Sequence, residues 1–274
     1  MPELPEVETI VRGLSRRITG KKLSRFLVYD KKRLVSPRLS LPKKIVAVRR
    51  HGKYIVCDMT SGLRCLVHLR MTGELLLGEI SDSSSRARDE GKQKASKHER
   101  ARFNFSDGSF LRFIDVRRFG TIEWLKDGRS LPSLGPDPLS RGFNTKILFA
   151  ATQKSLRAIK SLLLDQKIIA GIGNIYTDES LWMAKIHPRR ESKSLKLAEI
   201  SRLVKEIKQI LREGIKKGGF TLRDYRRIDG SSGYYQHSRK AYDREDLPCL
   251  RCRAKIKRIK VGGRSSYFCA RCQK

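Results

Sequence analysis

The 274-residue chain is predicted to be an α+β multidomain protein: an antiparallel β-domain with one helix, a helical region, and a compact cysteine-bearing module. Three observations predict this. From Leu23 to about Trp124, short runs alternate apolar and polar residues, the period of half-buried strands. From about residue 144 the apolar spacing lengthens to that of helices. The final stretch carries Cys249, Cys252, Cys269 and Cys272 in two matched pairs. A chain of this length can bury real cores, and two or three domains suit it.

The chain opens Met-Pro-Glu-Leu-Pro-Glu. Met1 precedes the small Pro2, so processing is expected to remove it and leave a free secondary amine. Such an amine attacks a carbonyl to give an iminium that is positively charged at every pH, a strong electron sink. Chain-terminal amines titrate near ~7.7–8.0, so an unprotonated fraction exists at neutral pH. Glu3 and Glu6 follow closely enough to move protons for it. The hexapeptide also suits a plain helix entrance, and by itself it does not decide between the two. Val7, Ile10, Val11, Leu14 and Ile18 then share one helical stripe.

Strand-like runs follow at 44–48, 53–56, 63–69, 74–77, 102–105 and 110–114, with turn signals at Thr60-Ser61-Gly62 and Ser106-Asp107-Gly108. With the helix packed on it, this texture predicts a β-sandwich. Residues 81–98 are polar and low in complexity, the composition of a mobile surface loop, and hold Arg86, Arg88, Lys92 and Lys94. Residues 127–139 are rich in Gly, Ser and Pro and read as a linker. Helical spacing covers roughly 144–151, 155–165, 174–185 and 197–214, with a short turn near 221–226 and a long loop at 228–242. The boundaries drawn are 1–126 for the β-domain, 127–143 for the linker, 144–239 for the helical domain and 240–274 for the terminal module.

Charge limits the partners. Lys+Arg total 61 against 28 Asp+Glu, a formal net charge of +33, which predicts a polyanion. No apolar run approaches the ~20 residues of a spanning helix, and no lipidation motif is visible. Glu3, Glu6 and Glu8 interrupt any signal-peptide pattern, so a cytoplasmic protein is expected. Cys57 and Cys65 lie in apolar strand-like runs and read as buried small hydrophobes.

Cys249-x2-Cys252 followed by Cys269-x2-Cys272 has the spacing of a four-thiolate zinc site on a hairpin; a redox pair is the competing reading. Four thiolates leave no open position for water, so one Zn2+ would be structural. Arg253, Lys255, Lys257, Arg258, Lys260 and Arg264 between the pairs suit a nucleic-acid finger, although zinc ribbons also serve as protein-interaction modules, so the finger alone does not establish catalysis. Gly171-Ile172-Gly173-Asn174 leads into a helix, a turn whose N–H groups can face an anion such as phosphate, with Asn174 as N-cap or direct donor; a tight turn between packed helices has the same pattern. Met71 and the Arg117-Arg118-Phe119 run suit a gap in a base stack, a thioether and ring replacing stacking while a guanidinium meets the orphaned base. They equally suit a core Met and Phe beside a surface Arg.

Pro2-Glu3-Leu4-Pro5-Glu6-Val7-Glu8, Gly52-Lys53-Tyr54, His68-Leu69-Arg70-Met71, Arg117-Arg118-Phe119-Gly120, Leu134-Gly135-Pro136-Asp137-Pro138-Leu139 and Gly171-Ile172-Gly173-Asn174-Ile175-Tyr176 stand in order ahead of the cysteine finger. In these motifs the chain resembles a bacterial formamidopyrimidine-DNA glycosylase over essentially its whole length. The resemblance implies an N-terminal β-sandwich, a helix–two-turn–helix domain and a zinc finger. It implies a bifunctional glycosylase and abasic-site lyase acting as a monomer on oxidised purines in damaged double-stranded DNA, in the cytoplasm and on the nucleoid. By the same match Pro2 is the nucleophile, Glu3 its acid/base partner, and Lys53 and Arg264 act in β- and δ-elimination. His68, His98, Arg117, Lys154, Lys160, Asn174 and Tyr242 would hold DNA or lesion, and Met71, Arg117 and Phe119 would fill the void. Independently of the resemblance, Gly230 and Gly233 can turn backbone N–H groups toward a flipped base, so lesion discrimination is expected of the 228–238 loop.

Some positions depart from the family pattern. His98 stands alone where relatives often have two histidines, and Ser155 replaces a basic contact, though Lys154 and Arg157 flank it. Ala241-Tyr242-Asp243 replaces a more usual Val-Tyr-Gly. Two other functions compete. The endonuclease VIII type uses the same scaffold on oxidised pyrimidines, but Leu4 and Val7-Glu8 favour the purine branch. A non-catalytic zinc-containing DNA-binding protein would leave Pro2, Glu3 and Lys53 unexplained.

Overall fold

A computed structural model describes residues 1–34, 39–78, 97–126, 128–221 and 225–274. Of the polar stretch 81–98, only Lys97 and His98 fall within them; Arg86, Arg88, Lys92 and Lys94 lie outside the described residues. The chain divides into two compact units that do not follow chain order. One gathers Met1–Pro2, Glu6–Leu131 and Gly218–Gly233; the other gathers Glu3–Pro5, Pro132–Lys217 and Tyr234–Lys274.

In the first unit, helix α1 (Leu4–Ile18, from Glu6 onward) buries Val7, Ile10, Val11, Leu14 and Ile18, the predicted stripe. It starts ahead of that stripe because Pro5 is tolerated in a first turn, where its missing N–H has no helical partner to lose. The strands are β1 (Lys22–Val28), β2 (Lys43–His51), β3 (Tyr54–Met59), β4 (Arg64–His68), β5 (Gly73–Gly78), β6 (Glu99–Phe105), β7 (Phe110–Asp115) and β8 (Thr121–Leu125). Among the described residues they pair antiparallel in the order β5-β7-β6-β1-β2-β3-β4-β8.

The joint is weak at β1–β2, where only Lys22↔Lys44 and Leu23↔Lys43 pair, and the sheet turns over there. Trp124 of β8 consequently lies 5.0 Å from Phe26 of β1 and 6.2 Å from Phe103 of β6, ring centre to ring centre. Two layers closed on an apolar interior form a β-sandwich, as the alternation predicted.

Residues 218–233 join this unit through contacts that no sequence window contains. Tyr225 is buried in its core, Leu77 N donates to Ile228 O (3.0 Å), and Phe220 N donates to Glu6 Oε1 (2.8 Å). The loop corrects one expectation. Gly230 N donates to Arg227 O and Gly233 N to Thr221 Oγ1, each at 2.9 Å, so in this conformation neither N–H is open to a base.

The second unit holds α2 (Thr145–Gln153), α3 (Ile159–Leu163), α4 (Asn174–Ala184) and α5 (Leu197–Lys216). Asn144 caps α2, its side chain accepting from Ile147 N. Helix α3 is shorter than the spacing predicted, because Ala158 is extended and bridges to Glu191. Helix α5 buries Ile200, Leu203, Val204, Ile207, Ile210 and Leu211 on one face. Helix α4 is buried nearly all round, including Asp178 and Glu179. Strands β9 (Lys257–Val261) and β10 (Arg264–Phe268) form the terminal hairpin. Among the described residues no helix is long and apolar enough to cross a membrane.

Candidate active site

Helix α4 begins with an anion at its N-terminus, and the anion is a side chain of this chain. Glu3 accepts from Ile175 N at 2.9 Å and from Tyr176 N at 3.3 Å, while Leu4 N donates to Gly171 O. The Gly-x-Gly turn expected to face phosphate therefore faces the Glu3 carboxylate. Two backbone N–H groups at the start of α4 hold this carboxylate in place. The glycine spacing is a packing requirement: a Cβ on Gly173 would stand 2.5 Å from Glu3 Oε1 and 2.7 Å from its Cγ. Gly173→Ala is thus expected to displace the carboxylate and, in the reaction that the sequence resemblance implies, to lower base excision on the order of a hundredfold, since ångström-scale misplacement suffices for that. The check is single-turnover excision beside an unchanged melting temperature; an unaltered rate would show that Glu3 tolerates displacement.

Asn174 is the first helical residue, with Gly173 in the N-cap position. Its Nδ2 donates to Ser265 O (3.0 Å), and its buried Oδ1 has no hydrogen-bond partner among the described residues. Lys160, expected at DNA, is fully buried: Nζ pairs with Asp178 Oδ1 at 2.6 Å and donates to Ser265 O at 2.7 Å. Burial pushes Asp178 up to about 7 and Lys160 below its ordinary value, while their mutual attraction opposes both shifts. Glu3 and Arg264 also act on Lys160, the first favouring its charge and the second opposing it. Arg264 itself is exposed at the start of β10.

Sequence reasoning missed the two acids that assemble this cluster. Asp178 also accepts from Tyr267 N (3.0 Å), fixing β10. Glu179 accepts from Lys240 N, Ala241 N and Tyr242 N, the last two at 2.8 Å. Tyr242 is thereby held against Tyr267, ring centres 5.3 Å apart, and burial followed by the Glu3 charge pushes its hydroxyl up to about 12. Adjacent carboxylates inside an apolar helix were the available signal, because buried charges need partners. Lys154 is exposed at the end of α2.

The four finger cysteines converge with all Sγ atoms within 4.8 Å of one another, Cys249 to Cys272 at 4.0 Å and Cys252 to Cys269 at 3.4 Å. Tetrahedral Zn–S bonds of about 2.3 Å require sulfurs at about that spacing. The thiolate set fits one structural zinc. Trp182 of α4 is buried beside this site under the Arg251 guanidinium, 3.8 Å from its ring centre.

The remaining candidates belong to the first unit. Gly52 (φ +59°) and Lys53 form the two-residue turn between β2 and β3, closed by His51↔Tyr54. Lys53 is only 8 % exposed, and its charge reaches His68. Burial first, then Arg70 and Lys53, push His68 down to about 4, so its ring is neutral at pH 7; Nδ1 accepts from Arg70 N. Asp115 organises the neighbouring loops by accepting from Thr72 Oγ1 (2.5 Å), Arg117 N (3.2 Å) and Gly120 N (2.7 Å). Met71 and Phe119 stand 44 % and 47 % exposed, which removes the core-packing reading. Arg117 joins them, donating to Met71 Sδ (3.5 Å) with its guanidinium 4.9 Å from the Phe119 ring centre. His98 is half-buried, Nδ1 3.4 Å from Arg100 Nη2. Arg70, His98 and Arg118 all have positive φ, strain gathered where these loops meet.

Comparison with known proteins decides the family. Profiles described as the formamidopyrimidine-DNA glycosylase N-terminal domain, the formamidopyrimidine-DNA glycosylase H2TH domain and the zinc finger found in FPG and IleRS match residues 1–122, 134–226 and 246–274. A relative from Desulforamulus reducens, named formamidopyrimidine-DNA glycosylase, is 42% identical over 287 residues, covering 100% of this chain and 99% of the relative. The chain belongs to the formamidopyrimidine-DNA glycosylase family. A formamidopyrimidine-DNA glycosylase of Listeria monocytogenes is 39% identical over 285 residues, with both chains covered completely.

Solved structures of family proteins agree in fold. MutM in complex with DNA containing carbocyclic 8-oxo-G has a TM-score of 0.87 at 35% identity, both chains covered completely. Lactococcus lactis Fpg in complex with DNA containing an abasic site has a TM-score of 0.88 at 35% identity, with 99% of each chain covered.

Proposed function

We propose that this member of the formamidopyrimidine-DNA glycosylase family excises oxidised purines, 8-oxoguanine and formamidopyrimidines, from duplex DNA and then cleaves the strand. One observation carries the reading: the Glu3 carboxylate, next in the chain to Pro2, is gripped by the N-terminus of α4. With Met1 removed, the Pro2 nitrogen attacks C1′ of the damaged nucleotide, the glycosidic bond breaks, and the base leaves with a proton. Glu3 holds and moves the proton needed to open the sugar. The resulting iminium acidifies C2′, so the C2′ proton is lost, its bonding pair forms a C2′–C3′ double bond, and the C3′–O bond breaks as the 3′ phosphate leaves; loss of the C4′ proton then breaks the C5′–O bond and releases the 5′ phosphate. Lys53 and Arg264 are assigned to these two eliminations. Zinc stays outside the chemistry and holds the Arg264 hairpin together.

Asn174, Tyr242, His68, His98, Arg117 and Lys154 are assigned to DNA or lesion contacts. Lys160 is assigned there through Asn174 and the Ser265 carbonyl, because its own ammonium is enclosed. Met71, Arg117 and Phe119 fill the space left by the extruded nucleotide, which their shared exposure supports. The functional division is taken as 1–126, 127–143, 144–239 and 240–274, with matched profiles at 1–122, 134–226 and 246–274 in support. The protein is read as a monomer acting in the cytoplasm on the nucleoid.

The test is excision measured on matched duplexes carrying 8-oxoguanine or an oxidised pyrimidine, with borohydride trapping of each. Preference for 8-oxoguanine with a trapped adduct is expected. Preference for the pyrimidine would move the protein to the endonuclease VIII type, and no adduct on either would make it a binding protein. Met71→Ala with Phe119→Ala is expected to lower excision from intact lesion duplex roughly tenfold, from the lost stacking and unstacking energy. Cleavage of a single-stranded abasic substrate should hardly change. Equal losses on both substrates would remove the void-filling role.

A further inference from the structure

The outer face of α1 and the adjoining end of β2 enclose an open cleft of about 450 Å³ lined by Glu8, Val11, Arg12, Ser15, Arg16, Val48, Arg49 and Arg50. Four arginines and one carboxylate line it, and no step proposed above uses any of them. The guanidiniums are largely pre-set. Glu8 bridges Arg12 and Arg50, each at 2.8 Å, and Asp58 holds Arg49 through two bonds of 2.6 and 3.0 Å. Arg16, exposed one turn beyond Arg12, has no ion pair among the described residues. Arg16 stands at i+4 from Arg12, so the two present like charges on one helix face, and Glu8 offsets only the Arg12 side of the pair.

We infer that this cleft is a binding site for an oligophosphate, a ligand with two or more linked phosphoryl groups. Guanidinium forks match phosphate oxygens two at a time, and pre-set side chains lose little freedom on binding. The volume exceeds what one phosphate fills, and the cations span both a helix and a strand, which calls for several phosphoryl groups in a row. Such a ligand exists free, as a nucleotide polyphosphate, or as the backbone of a duplex. Arg50 also donates to Gly52 O at 3.4 Å, beside Lys53, and is therefore left intact in the test.

Tripolyphosphate is titrated by calorimetry at low salt into the zinc-loaded protein, into Arg12→Ala/Arg16→Ala, and into a control with Lys205→Ala/Arg212→Ala on the exposed side of α5. Saturable binding to the unaltered protein is expected, weakened about tenfold or more in the first variant and unchanged in the control. Absence of saturable binding, or equal weakening in both variants, overturns the site. Undamaged duplex binding in the same variants identifies the source. A salt slope reduced by one to two phosphates' worth assigns the cleft to the DNA backbone, and an unchanged slope assigns it to a free oligophosphate. Because neither readout involves base excision, the site and the proposed reaction can fail separately.

Discussion

Replacing Pro2 with Gly is expected to lower borohydride-trapped adduct on 8-oxoguanine duplex by on the order of a hundredfold or more. Glycine supplies only a primary amine on a freer backbone, so both nucleophile strength and placement decline. A variant made to retain Met1 should lose trapping altogether, because residue 2 then carries an amide nitrogen with no lone pair to give. Glu3→Gln separates the two halves of the chemistry. The amide keeps the shape of the side chain but cannot transfer the proton, so excision should fall about 10²–10⁴-fold, the usual contribution of a placed acid/base. Cleavage of a preformed abasic site should fall far less, since an open aldehyde accepts the amine without base departure. Normal trapping by Pro2→Gly or by the Met1-retaining variant would remove Pro2 from the mechanism.

Loss of zinc is the second large effect. Four thiolates converge around one ion, and structural zinc supplies roughly 10–16 kcal/mol to small finger modules. Cys249→Ser or Cys272→Ser should therefore unfold the β9–β10 hairpin, scatter Arg264, and abolish measurable binding to lesion duplex. The sandwich and the α2–α5 helices should keep their circular dichroism, because their cores are built from other residues. Metal analysis should give one zinc per chain in active protein. Full activity with well under one zinc per chain would overturn the structural assignment.

Much of this was legible in the chain itself. The stripe from Val7 to Ile18, the strand alternation through Trp124 and the cysteine spacing are local patterns, and local patterns survive reading one window at a time. The motif series around Pro2, Lys53 and Gly171–Tyr176 gave the family expectation that the relatives later supported. Local pattern also had limits. Met71 and Phe119 were ambiguous between core and surface, because side-chain type alone does not say which face of a loop is covered.

Element types, the zinc ligands and the polyanionic character of the partner are legible in the chain, because each depends on residues close together in it or on summed charge. The tertiary structure alone decided the partners of buried charge. Glu3 is the anion at the start of α4, Lys160 is spent on Asp178, Glu179 clamps the backbone at 240–242, and Gly218–Gly233 belongs with the β-sandwich. A buried charge must find an opposite charge or a set of N–H donors, but any of many distant groups satisfies that requirement equally well. Only the folded path of the chain selects which one does.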